Sequence, residues 1–155
     1  MPIMKKLLIF ALLFASPLCA SDPVADLAVA RKEIQAQTIE IVQTAMNLSE
    51  ADAPAFWAVY KDYEAERTQM GDIKVSLLNQ FMAIAEDMTD EQATATAEQH
   101  FAMQRNQIAL SEKYYTIMAE KLSPRVAARF VQVMNQIDTV IDANLASEMA
   151  IIGGF

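Results

Sequence analysis

The sequence predicts an all-α fold of four helices built around a long central antiparallel hairpin. Three observations predict it. Only 3 Gly and 5 Pro punctuate 155 residues, too few turn residues for an ordinary all-β domain. The apolar residues between Asp22 and Ala150 recur at steps of three and four, with no convincing period-two segment. Three segments place an apolar residue before a Ser or Thr, the signature of a helix start. An apolar content of 54% also removes the chain from the disordered class.

The N-terminus reads as a leader. Lys5 and Lys6 precede an unbroken apolar run over 7–14, and Leu18-Cys19-Ala20 offers a small-residue cleavage site. This is the pattern of a secretory signal peptide over 1–20, followed by a single helical domain over 21–155. Cleavage removes the one Cys and two of the 12 basic residues, leaving 10 against 20 acidic ones, a net charge of −10. No second apolar run long enough for a membrane span follows, so no membrane span is expected after cleavage.

The first helix is predicted over about 24–46, with Leu27, Ile34, Ile41 and Ala45 on one stripe and Ala30 and Val42 beside it. The second begins near Ser49, or nearer Asp52 on account of Pro54. Its stripe runs Phe56, Val59, Tyr60, Tyr63, Met70, Ile73, Leu77, Phe81, Ile84. Gly71 lies inside, but the stripe keeps its phase across it, so one long helix over 50–87 is expected rather than two. The third, over about 90–120, carries two stripes. One is Ala93, Ala97, Phe101, Ile108, Tyr115 and Met118; the other is Met103, Leu110, Tyr114 and Ile117. The fourth covers about 124–147 through Val126, Ala127, Phe130, Met134, Ile137, Ile141 and Leu145, with Val133 and Val140 adjoining. An apolar tail over 149–155 ends the chain.

The starts are the best-marked features. Leu48-Ser49, Met88-Thr89 and Leu122-Ser123 each set a hydrophobic staple before a hydroxyl cap. Thr89 with Gln92 forms a capping box, helped by Asp90 and Glu91 at the positive helix end. Ser123-Pro124 puts Pro at the first helical position, where its missing N–H is not needed. An internal echo accompanies these caps. Residues 48–60 align with 122–134, matching Leu48/Leu122, Ser49/Ser123, Ala53/Ala127, Phe56/Phe130 and Val59/Val133. Either a repeated hairpin unit or the limited vocabulary of capped amphipathic helices explains it.

Short connections demand antiparallel neighbours, so the second and third helices should form a long hairpin with the other two packed along it. Stripes on two adjoining faces exceed what one chain can bury. The surplus must face a second subunit, a client or solvent.

Chemistry is sparse. His100 is the single His and Ala97 stands where a di-iron bundle would need Glu, so that site fails. No Gly-rich phosphate loop and no covalent haem motif occur. No catalytic set converges, so the chain is not read as an enzyme, and no cofactor or metal is expected. The acidic balance argues against nucleic acid as a partner. Met82, Met103, Met118 and Met134 read as core filling, with a soft binding face or a thioether copper site as alternatives. Phe56, Trp57, Tyr60 and Tyr63 form the densest aromatic group. Core packing is its plain reading; a client or dimer surface is the sharper one, Trp57 above all.

The capped starts, the lack of Cys after cleavage and the segments FWAVYKDYEAE (56–66) and LSPRVAARFVQVMNQID (122–138) together resemble an uncharacterised branch of the periplasmic LTxxQ-motif, Spy/CpxP-like proteins. Met88-Thr89-Asp90-Glu91-Gln92 is closest to the motif; Leu48-Ser49 and Leu122-Ser123 keep its first half. The resemblance implies a periplasmic, cradle-like homodimer that binds unfolded or partly folded clients without ATP, or serves an envelope stress response. This chain differs in charge, being acidic where such cradles tend to be basic. A structural or regulatory adaptor docking one partner and a metal- or ligand-handling protein remain the alternatives.

Overall fold

The computed structural model describes residues 23–147, with side chains described for 33–143 and 146. The segment over 1–20 read as a leader, with Cys19, and the tail over 149–155 lie outside the described residues, as do the side chains of Leu27, Ala30 and Leu145. Four helices follow in order: α1 Pro23–Met46, α2 Ala53–Ile84, α3 Asp90–Lys121 and α4 Pro124–Ser147. No strand occurs among the described residues. The all-α class and the four predicted elements therefore stand.

The ends of the helices follow from local chemistry. α1 stops at Met46 because Asn47 takes a left-handed backbone, φ 42°, which Asn tolerates better than most residues. Its last turn holds no basic residue of its own. Arg129 of α4 supplies one, donating from Nη1 to the Met46 carbonyl at 3.0 Å. α2 is shorter than the predicted 50–87. The Ser49 hydroxyl accepts from the Asp52 N–H at 3.1 Å and donates to the Asp52 carboxylate at 2.8 Å. That turn delays the helix to Ala53, with Pro54 in its first turn, where an N–H is dispensable. At the other end, Thr89 is extended, so the chain must leave the helix before it.

α2 runs unbroken through Gly71, where an added Cβ would meet nothing within 4 Å. α3 opens on the full capping box: the Thr89 hydroxyl accepts from the Gln92 N–H at 3.3 Å, and the Gln92 amide oxygen accepts from the Thr89 N–H at 2.9 Å. α4 starts at Pro124, with the Ser123 hydroxyl accepting from the Val126 N–H at 3.2 Å. Two of the three predicted starts thus carry a helix cap; Ser49 instead closes a turn ahead of α2, whose N-cap Asp52 makes no side-chain cap hydrogen bond.

α3 packs along both α2 and α4, and α4 packs along α1. One core joins all four: Ile41, Val42 and Met46; Phe56, Val59, Tyr60 and Tyr63; Leu110, Tyr114 and Met118; and Ala127, Phe130, Val133, Met134 and Ile137. It sits at one end of the hairpin. The buried residues of α2 stop at Glu64, and those of α3 begin at Leu110. Residues 65–84 and 90–109 contain no buried side chain. Each hairpin helix has 32 residues, about 48 Å, against 24 residues, about 36 Å, for α1 and α4. The α2/α3 hairpin therefore has a packed base and an arm with half-buried and exposed apolar residues. No helix among the described residues is long and apolar enough to cross a membrane.

Candidate functional site

The aromatic group predicted on α2 lies in the base. Phe56, Tyr60 and Tyr63 are buried, so they do not form a client or dimer surface on this chain. The helical spacing that put them on one face put that face inward. Phe130 meets Phe56 edge-to-face at 5.9 Å and Tyr63 at 4.9 Å, and Tyr114 meets Tyr63 at 5.2 Å. Trp57 is half-buried, stacking its edge against Phe56 and Tyr60 at the rim. Only Trp57 keeps part of its surface available to a partner.

Above the aromatic core lies a polar layer that sequence reasoning missed. Glu64 is buried. The Tyr60 hydroxyl donates weakly to it at 3.5 Å, and Arg67 lies 3.7 Å from it while donating to Asp138 of α4 at 2.7 Å. Burial pushes the Glu64 carboxyl up, with Arg67 pulling the other way. Burial, and then the charges of Glu64 for Tyr60 and Asp138 for Tyr63, raise both phenols. Further along, Lys74 pairs with Asp142, so α4 accompanies α2 into the start of the arm. On the other side of the hairpin, Glu66 accepts from Lys113 at 2.6 Å and from the Tyr114 hydroxyl at 2.8 Å. These bonds hold the Glu66 carboxyl below its usual range, while burial and then Glu66 push Tyr114 up to about 12. Every member of these clusters is paired within the fold, which is the arrangement of a structural register rather than a reactive site.

The available surface is on the arm. Among the described residues, five of the six large exposed apolar side chains belong to the hairpin: Ile73 and Met82 on α2, and Phe101, Ile108 and Tyr115 on α3. Phe101 and Ile108 are 54% and 59% exposed, and seven residues apart they fall on one stripe with Tyr115. This resolves the two stripes of α3. The stripe of Met103, Leu110, Tyr114 and Ile117 faces inward, with Met118 joining it. The stripe of Ala97, Phe101, Ile108 and Tyr115 faces out. Two expectations are corrected here. Ile73 of the α2 stripe is 54% exposed, while Met70, Leu77, Phe81 and Ile84 of the same stripe stay half-buried. Met82 is 46% exposed rather than core filling, while Met118 and Met134 are buried as expected.

The caps position this surface. The Thr89 box fixes the tip connection over 85–89, and Met88 is half-buried there. Leu48 and Leu122 pack against the core beside Ser49 and Ser123 at the opposite end, with Pro124 opening α4. His100 is exposed, its ring centroid 6.0 Å from that of Phe101. Among the described residues no group of three His, Cys, Asp or Glu side chains is placed to hold a metal ion.

In comparison with known proteins, the chain matches no family model, no curated protein and no solved structure. The functional reading therefore rests on the residues and their placement.

Proposed function

We propose that this chain is an exported, periplasmic binding protein that holds apolar segments of unfolded or partly folded proteins on its hairpin arm, without nucleotide. The observation that carries the reading is the exposure of Phe101 and Ile108 on an arm that buries no side chain of its own over 65–84 and 90–109. Apolar side chains of this size, left in water on a helix surface, gain about 25 cal/mol for each Å² a client covers. The base supplies rigidity through its aromatic core and paired polar layer, so the arm presents its side chains on a fixed frame.

Binding of this kind needs no catalytic group, cofactor or metal. A homodimer, as the LTxxQ resemblance implies, sets two such arms around one client and multiplies the contact through effective concentration. Mass by light scattering reports that state: twice the chain mass is expected.

The test is dilution of several unrelated, chemically denatured proteins into buffer with and without the chain, with light scattering as the readout. Slowed aggregation at stoichiometric chain, unchanged by nucleotide, is expected. Phe101→Ser with Ile108→Ser should remove the effect while leaving helicity intact, since neither side chain is in the core. Aggregation of every client at the rate seen without the chain overturns the proposal.

A further inference from the structure

The distal arm carries charge of one sign. Between Lys74 and Arg105 the sequence contains no Lys or Arg. The same stretch contains five carboxylates, Glu86, Asp87, Asp90, Glu91 and Glu98. All five are exposed, and among the described residues none of them forms an ion pair. This contrasts with the base and the start of the arm, where Arg67, Lys74 and Lys113 are each matched to a carboxylate.

The carboxylates also stand beside the exposed apolar side chains. Glu98 lies three residues before Phe101 on α3, and Glu86 stands in the tip connection just past the end of α2, which carries Met82 in its last turn. The spacing of three puts Glu98 and Phe101 on the same helix face. The exposed Phe101 therefore has an unpaired negative neighbour on its own face, and the tip beside Met82 carries two more carboxylates, Glu86 and Asp87. Asp90 and Glu91 are satisfied in part by the positive end of α3, but Glu86, Asp87 and Glu98 have no such partner.

Resting on the binding reading above, we infer that the distal arm selects for net-positive amphipathic segments of its clients, in which Lys or Arg alternate with large apolar residues. The apolar side chains of such a segment cover Met82 and Phe101 while its cations meet Glu86 and Glu98. A second copy of this chain is a poor occupant of the same surface, because its arm brings five further negative charges against these five. An acidic unfolded segment is excluded by the same repulsion. The charge complementarity acts chiefly on capture rate and on choice of partner, and the apolar contact holds the complex.

The experiment uses the full chain and three fluorescently labelled peptides of equal length. All share the same Leu and Phe positions, and their polar positions are all Lys, all Gln or all Glu. Fluorescence anisotropy gives the affinities. The Lys peptide is expected to bind roughly tenfold or more tighter than the Gln peptide, and the Glu peptide weakest. Roughly 1 M salt, where the Debye length is about 3 Å, should bring the three together without abolishing binding. Glu86→Gln, Asp87→Asn and Glu98→Gln combined should do the same at low salt, leaving the acidic first turn of α3 intact. Equal affinities for the Lys and Gln peptides overturn the charge selection and leave the binding reading standing. A Lys preference unchanged by salt, or retained in the triple variant, also overturns it. Failure of all three peptides to bind overturns the binding reading itself.

Discussion

Phe56 and Phe130 occupy matching positions of the internal echo and meet edge-to-face at 5.9 Å in the centre of the core. Both are essentially inaccessible, at 0% and 1%. Ser49 and Ser123, the echo's capping residues, each accept from an N–H three residues on and offer their carbonyl to the N–H four residues on, at 3.0 Å in both cases. The echo is therefore expressed as two helix entries that deliver equivalent aromatics to one point. Phe56→Ala and Phe130→Ala should each cost about 3–5 kcal/mol in urea unfolding. The double variant should cost less than both together, since the two share one cavity.

Thr38 presents an opposite case. It is fully buried on α1, and among the described residues its hydroxyl has no hydrogen-bond partner. Other helical threonines here, such as Thr44, Thr94, Thr116 and Thr139, bond back to the carbonyl four residues earlier. Thr38→Val keeps the shape and removes the unpaired group. Stability should rise by about 1 kcal/mol, seen as a higher urea midpoint at unchanged slope.

Gly71 sits mid-helix with open space where a Cβ would stand. Gly71→Ala should stabilise the chain by about 0.5–1 kcal/mol by restricting the unfolded state. Because it lies on the arm, the gain should appear as slower amide exchange in α2 beyond Arg67.

Burial holds the Glu64 carboxyl above its ordinary value of 4.5, Arg67 offsetting this only in part. The folded chain thus keeps that proton to a higher pH than the unfolded chain does. Between the two values the folded state binds more protons, so this group's contribution to stability falls as pH rises through the window. Glu64→Gln removes that fall. Its stability relative to the parent should increase from about pH 4.5 upward, measured by urea unfolding at a series of pH values. Parallel pH profiles for the two proteins would contradict it.

The elements were legible in the sequence because their signals are local. Thr89-Asp90-Glu91-Gln92 announces a capping box that forms as written, and Ser123-Pro124 starts α4 where it stands. Core membership was legible near the base, where Phe56, Tyr60, Tyr63, Phe130 and Met134 all lie on the predicted stripes. It failed along the arm, where Ile73 and Met82 carry the same apolar character without a partner helix over them. Periodicity identifies a face but does not say whether anything covers it. The layer of Glu64, Arg67 and Asp138 was hidden for a different reason: Arg67 and Asp138 are 71 positions apart, and only tertiary packing brings them together. The candidate surface itself was half legible. The doubly striped α3 signalled surplus apolar area, but the aromatic group singled out on α2 proved to be core.

Hydrogen exchange with mass spectrometry, comparing the chain alone with the chain plus a chemically denatured client, locates the contact. Added protection is expected over α2 beyond Met70 and over α3 up to Ile108, with the aromatic base unchanged. Protection confined to the base and to α4, with the arm exchanging as before, would contradict the role assigned to the arm.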